Sequence, residues 1–435
     1  MEPMLVYIPR LTPRIVYIFH FIFETILGIK YELTTSRERV LKARAPVLSY
    51  SKEPLDKGIW IHCHDLLMES GYHVQDLQFG HWNKMMVPFF IGFGPDLPFD
   101  IFAAAFYMIT RYEEYLEFTP DAFGRFRASQ SQAYKHRFLH LPVVDLWALK
   151  LGQILQVRYP AIQIRKREYR FISTIDIDQA WAYKHKGLAR NLGGTARSLV
   201  RGELSDPVRR LATHLGLRTD PYHTFEYIHQ THLERHLKPV FFVQIGKRGR
   251  WDKNISGKHP AMQRLVKQLQ TIGEVGLHPS LRSGRRQELD EELVLFSELT
   301  RQKTVRSRQH FIRLVFPHTY QLLCQYGVTH DHSMGFHDMP GFRAGTATPF
   351  YFFDLTEDQQ KDLRVYPFQF MDVTLKDYLR LGPQDAMLKI EPIIEQVRKV
   401  GGTLASIWHN SALSETGDWK QWKPVFDYMM EKASP

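Results

Sequence analysis

Strands alternating with helices through the last two thirds of the chain predict an α/β fold, either a parallel barrel or a doubly wound sheet. Three observations carry this. About seven apolar runs of strand length recur after Tyr159. Amphipathic helical stretches separate several of them. Polar side chains then gather at the ends of those strands, where parallel α/β folds keep their chemistry. The candidate strands are YRFISTID, PVFFVQI, IGEVGLH, FIRLV, YGVTHDH, RVYPFQFMDV and GTLASIWH. The candidate helices include TFEYIHQTHLERHL, ELDEELVLFSELTRQ and AMLKIEPIIEQVRKV. The last stops at Gly401-Gly402, a good helix end. Pro392 inside it predicts a kink or a late start. Arg190 to Leu217, basic and containing Gly, interrupts the alternation and reads as an insertion.

A break at Arg158-Tyr159-Pro160 divides the 435 residues into an N-terminal α+β domain, residues 1–158, and a second domain, residues 159–435. In the first, Thr12-Pro13 before Ile15–Ile29 marks a helix start. His20 and Glu24 interrupt that apolar run, which is too short and polar to span a bilayer. It reads as a buried amphipathic helix, with a membrane-surface helix as the alternative. GIWIHCH alternates like a strand. PFDIFAAAFYMITRYEEYL is a strong helical pattern, with Phe102, Phe106, Ile109 and Tyr112 on one side. Thr119 to Leu141, rich in Arg, Ser and Gln, reads as a long surface loop.

Composition narrows the class. Hydrophobic residues at 44% and charged residues at 24% describe a soluble globular protein. Cys63 and Cys324 are the only cysteines, too few for a disulfide framework, so a reducing compartment is expected. No signal peptide is recognised, which favours a cytoplasmic or membrane-associated protein without a transmembrane segment. The net charge of +11 invites a nucleic-acid reading. No helix-turn-helix, zinc finger or aromatic RNA-binding signature supports it, so no nucleic-acid partner is expected.

The strand ends hold the candidate chemistry. Asp176-Ile177-Asp178 closes one strand, His278-Pro279 a second, Asp372 a third and His409-Asn410 a fourth. Spaced two apart in an extended segment, Asp176 and Asp178 point to one side. One could bind a cation while the other takes a proton from water. A turn or helix cap is the plain reading of a single Asp-x-Asp; its recurrence at other strand ends weighs against that.

ISTIDIDQA, EVGLHPS, GFRAGTATPF and SIWHN, in that order, resemble the polysaccharide deacetylase family, carbohydrate esterases of the chitooligosaccharide-deacetylase type. The resemblance covers Tyr169 to Met430. PFD…RYEEY…GRF…HLPVVDLW, here Pro98 to Trp147, is similar to the first domain of a two-domain variant typical of Bacteroidetes. The resemblance implies a distorted (β/α)7 barrel and removal of an N- or O-acetyl group from an acetylated glycan with a divalent metal, usually zinc. It carries the base to Asp176, metal ligands to Asp178 and His278, the general acid to His409, and the residue orienting the base to Arg343. Asp372 would orient His409 or pair with Arg343.

The chain departs from the family at one place. A second ligand histidine is expected four residues after the first, and Arg282 stands there. Arginine stays protonated and has no lone pair to give. Catalytic zinc takes three protein ligands, so His310 is the expected replacement, with His330, His332 and His337 as alternatives. Two rival functions follow: a barrel with impaired catalysis that binds glycans or acts as a scaffold, and a related hydrolase of a non-sugar amide. His62-Cys63-His64-Asp65 resembles a metal cluster by composition, but alternation splits it across two faces. Gly246 to Arg250 fits neither a dinucleotide fingerprint nor a phosphate loop and reads as a rim loop. Trp251, Asp252 and Asn254 beside it would contact a sugar or form a surface turn.

Overall fold

The computed structural model describes residues 2–92 and 94–435. Its centre is a nine-stranded sheet. The strands outside it come first in the chain: β1 (Met4–Tyr7), β2 (Tyr31–Thr34), β3 (Val47–Ser51) and β4 (Ile59–His62) form a parallel sheet in the order β2-β1-β3-β4. β5 (Phe79–Trp82) and β6 (Met85–Pro88) form an antiparallel pair.

The large sheet uses β7 (Arg170–Ile177), β8 (Val240–Val243), β9 (Glu274–Leu277), β10 (Arg306–Ser307), β11 (His330–Asp331), β12 (Phe350–Asp354), β13 (Gln359–Val365), β14 (Phe370–Met371) and β15 (Thr403–His409). Its order is β12-β13-β11-β10-β9-β8-β7-β15-β14. Every pairing is parallel except β12 with β13. Beyond the ladder, Phe368 N–H donates to Met334 O (3.0 Å), so the segment entering β14 reaches the chain leaving β11. This is the parallel-rich α/β fold that the alternating pattern predicts.

Local chemistry explains the well-formed elements. Thr12 caps the helix Pro13–Phe19 by accepting from Ile15 N–H (3.1 Å). A π-helical segment, His20–Leu27, continues it into the core. Ile15, Ile18, Phe19 and Phe23 are fully buried, which excludes the membrane-surface alternative for this helix. Asp100 caps Ile101–Ile109 through Phe102 N–H and Ala103 N–H, and the whole helix is buried. Each large side chain buried there contributes about 1.5–3 kcal/mol. Among the described residues, no helix is long and apolar enough to cross a membrane.

Several local expectations are corrected. FIRLV is not a strand: the strand is Arg306–Ser307, and His310–Ile312 is a tight turn. RVYPFQFMDV breaks into the end of β13 and the separate β14. The helix at Pro383–Lys399 runs through Pro392. Thr119–Leu141 is no free surface loop, because Arg125, Phe126, Ala128, Ser131 and Ala133 are buried. The insertion forms two helices, Leu188–Val200 and Ser205–His214.

One apolar core runs from Met4 to Ala433 and takes residues from both sheets. A smaller apolar cluster of Ile312, Phe368, Met371, Ala405 and Ile407 draws on β14 and β15. Polar contacts join the halves as well. Asp145 accepts from Thr346 Oγ1 (2.7 Å), Ala347 N–H (2.8 Å) and Arg167 Nη1 (2.9 Å). Arg343 pairs with Glu114 (2.5 Å), and Arg111 donates to Arg343 O.

Candidate metal centre

The register of the sheet assembles the site. Asp176 on β7 pairs with His409 on β15, so both emerge from neighbouring strands at one level. Ser307 on β10 pairs with Leu277 on β9, so His278 and the turn after β10 leave the sheet side by side. That turn puts His310 beside His278, with ring centroids 5.1 Å apart. Phe311 and Ile312 there have φ of 60° and 55°, costly values for side-chain-bearing residues and costliest for β-branched Ile312.

Asp178, His278 and His310 each offer one ligand atom, all within 4.8 Å of one another. His278 Nε2 is 3.1 Å from Asp178 Oδ1, and His310 Nε2 is 3.3 Å from Asp178 Oδ2. The far ring nitrogens are held from behind. His278 Nδ1 lies 2.6 Å from Arg308 O, a carbonyl that only accepts. His310 Nδ1 lies between Asp252 Oδ1 (2.9 Å) and Gln244 Nε2 (2.8 Å). His278 Nδ1–H donates to that carbonyl, so its neutral ring turns an Nε2 lone pair toward the Asp178 carboxylate, and His310 does the same in the tautomer whose Nδ1–H donates to Asp252. Three acceptors facing one point repel unless a cation or protons lie among them. Two imidazoles, a carboxylate and a carboxylate behind one histidine form the donor set and support that divalent metals use. These residues therefore fit a metal. Among the described residues, no other His, Cys, Asp and Glu set converges this way.

The donor groups also hold one another's charge. Burial would raise the Asp178 carboxyl, but His310 and His409 outweigh it and hold it well below the usual range. Burial pulls His310 down, yet Asp178 and Asp252 lift it to about 9. His409 is lowered by burial and lifted more by Asp372 and Asp178, reaching about 10.

Two groups flank the donors. Asp176 Oδ1 accepts from Arg308 Nη1 (2.9 Å), and its Oδ2 is 4.0 Å from His278 Nε2. His409 Nδ1 is 2.8 Å from Asp372 Oδ1, while its Nε2 faces Asp178 Oδ2 at 3.6 Å. The loop from the first half of the chain forms part of the rim: Phe123 stacks on Phe311 with centroids 4.6 Å apart and meets Trp251 edge-on at 5.2 Å. Arg125 Nη1 donates to Phe311 O (2.8 Å) and Arg313 Nε donates to Phe123 O (3.0 Å).

Residues 4–160 match the profile of a family of unknown function, DUF7033. No curated protein matches. A Mycobacterium smegmatis protein assigned as a polysaccharide deacetylase aligns over 62% of this chain and 85% of its own, at 15% identity and TM-score 0.39. The polysaccharide deacetylase Bc1974 from Bacillus cereus aligns over 61% and 87%, at 10% identity and TM-score 0.27. A Bacillus anthracis protein described as a CE4 family pseudoenzyme aligns over 61% and 63%, at 11% identity and TM-score 0.26.

The assignment of Arg343 to Asp176 is corrected. Arg343 is held by Glu114 and by Gly335 O (2.9 Å), because the Tyr112–Glu114 turn presents a buried carboxylate to it. The cation beside Asp176 is Arg308. Asp372 accordingly meets His409 and not Arg343. Arg282 points away, toward Glu288 at 3.8 Å. The other histidines are engaged elsewhere: His330 and His332 stack on Tyr366, and His337 Nε2 is 3.4 Å from Asp121. In the His62–Asp65 segment, Cys63 is buried, His64 Nδ1 accepts from Leu66 N–H and Asp65 pairs with Lys52.

Asp252 and Asn254 do not face a sugar. Asp252 orients His310, and Asn254 donates to Ile177 O (3.2 Å) and Gln244 O (2.7 Å). Sequence reasoning missed Arg308 and the support given by Asp252. Neither sits in a spacing motif; only the pairing of β9 with β10 and the turn after β8 bring them in.

Proposed function

We propose that the chain is a metal-dependent hydrolase that removes an acetyl group from a carbohydrate, its metal being zinc. The observation that carries the reading is the convergence of Asp178, His278 and His310, with Asp176 on one side and Asp372-supported His409 on the other. The parallel strands β7 to β11 with β14 and β15 are read as the distorted seven-unit barrel, and residues 159–435 as the domain that carries it.

Asp178, His278 and His310 would hold the ion. Zinc bound there supplies Lewis acidity, polarising the acyl carbonyl and making water more acidic. Asp176 takes the proton from the attacking water, with its Oδ1 fixed by Arg308 and its Oδ2 directed toward the donor cluster. His409, held through Nδ1 by Asp372, gives a proton from Nε2 to the departing amine or alcohol. Trp251, exposed at the rim and braced by the Phe123–Phe311 stack, offers an apolar ring surface of the kind on which a pyranose packs. The first half of the chain thus shapes the substrate cleft.

The test is metal analysis of the purified protein together with acetate release from N-acetylated chitooligosaccharides and O-acetylated xylan. One zinc per chain and acetate release that falls with Asp178→Asn support the proposal. Protein that neither takes up zinc nor releases acetate overturns it in favour of a glycan-binding barrel. Zinc uptake with hydrolysis of non-sugar amides alone would move the substrate class.

A further inference from the structure

The insertion after β7 is built inside out. On Leu188–Val200, Asn191 and Ser198 face the protein, while Leu188, Leu192, Leu199 and Val200 are exposed. On Ser205–His214, Asp206, Arg210 and Thr213 face inward, while Val208 and Leu211 are exposed, as are Leu204 and Leu215 at its ends. Exposure of these side chains runs from 51% to 89%. A solvated helix on a soluble protein turns its apolar stripe to the core; this pair turns both stripes to the outside.

The inversion is anchored by definite bonds. Asp206 accepts from Tyr183 OH (2.5 Å), Ser198 Oγ (2.8 Å) and Arg210 Nη2 (3.0 Å). Arg210 Nη1 donates to Asn191 Oδ1 (3.0 Å), and its guanidinium lies 4.5 Å over the Tyr183 ring. Asp220 ties down the backbone before the first helix through Ala182 N–H, Tyr183 N–H and Lys184 N–H. The polar faces are therefore committed to the protein and to each other, and the leucines are left without a partner.

Charge selects the partner. Residues 187–218 hold six arginines against two acids. Arg197, Arg201 and Arg218 are exposed. Arg190 Nη2 donates to Lys253 O (2.7 Å), which brings the basic Lys247–Lys253 loop alongside. A second copy of this chain would set one basic rim against another. An anionic bilayer instead accepts the leucines among its acyl chains and neutralises the arginines at its headgroups.

We propose that this helical hairpin docks the protein on an anionic lipid surface. It grows from the chain leaving β7, at the end that carries Asp176 and Asp178. Docking through it would present that end of the sheet to glycans held near the membrane, a consequence that rests on the hydrolase reading.

The experiment is co-sedimentation of the full chain with phosphatidylcholine vesicles, with or without phosphatidylglycerol. The full chain is expected to pellet with the anionic vesicles, to stay in solution with phosphatidylcholine alone, and to be released by high salt. The double variant Leu192→Ser/Leu211→Ser should weaken binding by about tenfold or more, with an unchanged melting temperature because both sites are exposed. Arg197→Glu/Arg201→Glu should weaken it in the same vesicles. Failure of the full chain to pellet with anionic vesicles overturns the proposal, as does binding that both variants leave intact. A dimer in sedimentation velocity that Leu192→Ser/Leu211→Ser dissociates would assign the face to a second copy and also overturn it. No arm requires deacetylase activity, so the docking and hydrolase readings fail separately.

Discussion

Asp252 and Arg308 show how single residues outside any motif set up the site. Asp252 accepts from His310 Nδ1 and also from Gln244 Nε2 (2.9 Å) and Leu281 N–H (3.0 Å), so its carboxylate is rigidly placed. Carboxylates behind metal-binding histidines are worth about 10–100-fold in metal affinity. If Asp178, His278 and His310 hold zinc as proposed, Asp252→Asn is expected to lose it to a competing chelator at about 10–100-fold lower chelator concentration. Unchanged competition would remove His310 from the ligand set. Arg308 and Arg343 are both buried arginines on carboxylates, yet they predict different phenotypes. On the hydrolase reading proposed above, Arg308→Lys should keep zinc and slow turnover at least about tenfold, part of the 10²–10⁴ that a positioned base contributes. Arg343→Lys should lower the melting temperature while turnover by the folded enzyme holds. The reverse pattern would return the Asp176 partnership to Arg343.

At the scale of elements, the legible parts are those whose chemistry is local. β7 and β15 are long, apolar and end in Asp176–Asp178 and His409, so sequence alone finds both the strand and the polar end. β10 and β11 have two residues each, among them Arg306, His330 and Asp331. β11 lies within the expected strand YGVTHDH but keeps only these two residues, whereas β10 is a strand only because parallel neighbours supply its bonds, and no periodicity marks it. The adjacent FIRLV has the composition of a strand and forms the turn that carries His310. The Thr119–Leu141 segment looks like solvent-facing loop because it is polar, but its polar groups are spent on tertiary bonds. Asp121 accepts from Phe123 N–H and Arg125 N–H (both 2.9 Å) and from Arg125 Nε (2.8 Å). Burial works against that carboxyl, but Arg125 and the two N–H groups lower it from 3.8 to about 2. A carboxyl depressed on folding adds stability that is present above 3.8 and is lost as pH falls through about 2. Asp121→Asn should thus lower the melting temperature at neutral pH, and the gap from the parent should close between pH 3.8 and about 2. Thermal scans across that range test it; a gap constant down to pH 2 would mean that the carboxylate charge does not hold the loop.

At the scale of the whole molecule, the question is whether the chain unfolds in one step or two. The sequence suggests a break at Arg158–Pro160, and the large sheet does begin after it, at Arg170. The contacts, however, cross that line throughout. The apolar core is continuous from Met4 to Ala433. Arg111, Glu113, Glu114 and Arg343 form a buried ionic group whose members come from both sides, each side chain at most 7% exposed. Asp145 likewise spends its oxygens on residues 167 and 346–348. Removing residues 1–158 would strand Arg343 without its carboxylate, and breaking a buried pair from one side costs about 3–5 kcal/mol. It would also bare the apolar surface now covered by the helix Ile101–Ile109. Domains that share a core melt together. The full chain is therefore expected to show one coincident transition by near-UV and far-UV circular dichroism in urea. Glu114→Gln should shift its midpoint down without splitting it. Residues 159–435 expressed alone should bind a hydrophobic dye and aggregate. A monodisperse, zinc-binding 159–435 fragment would overturn the argument and make the first half a separable module.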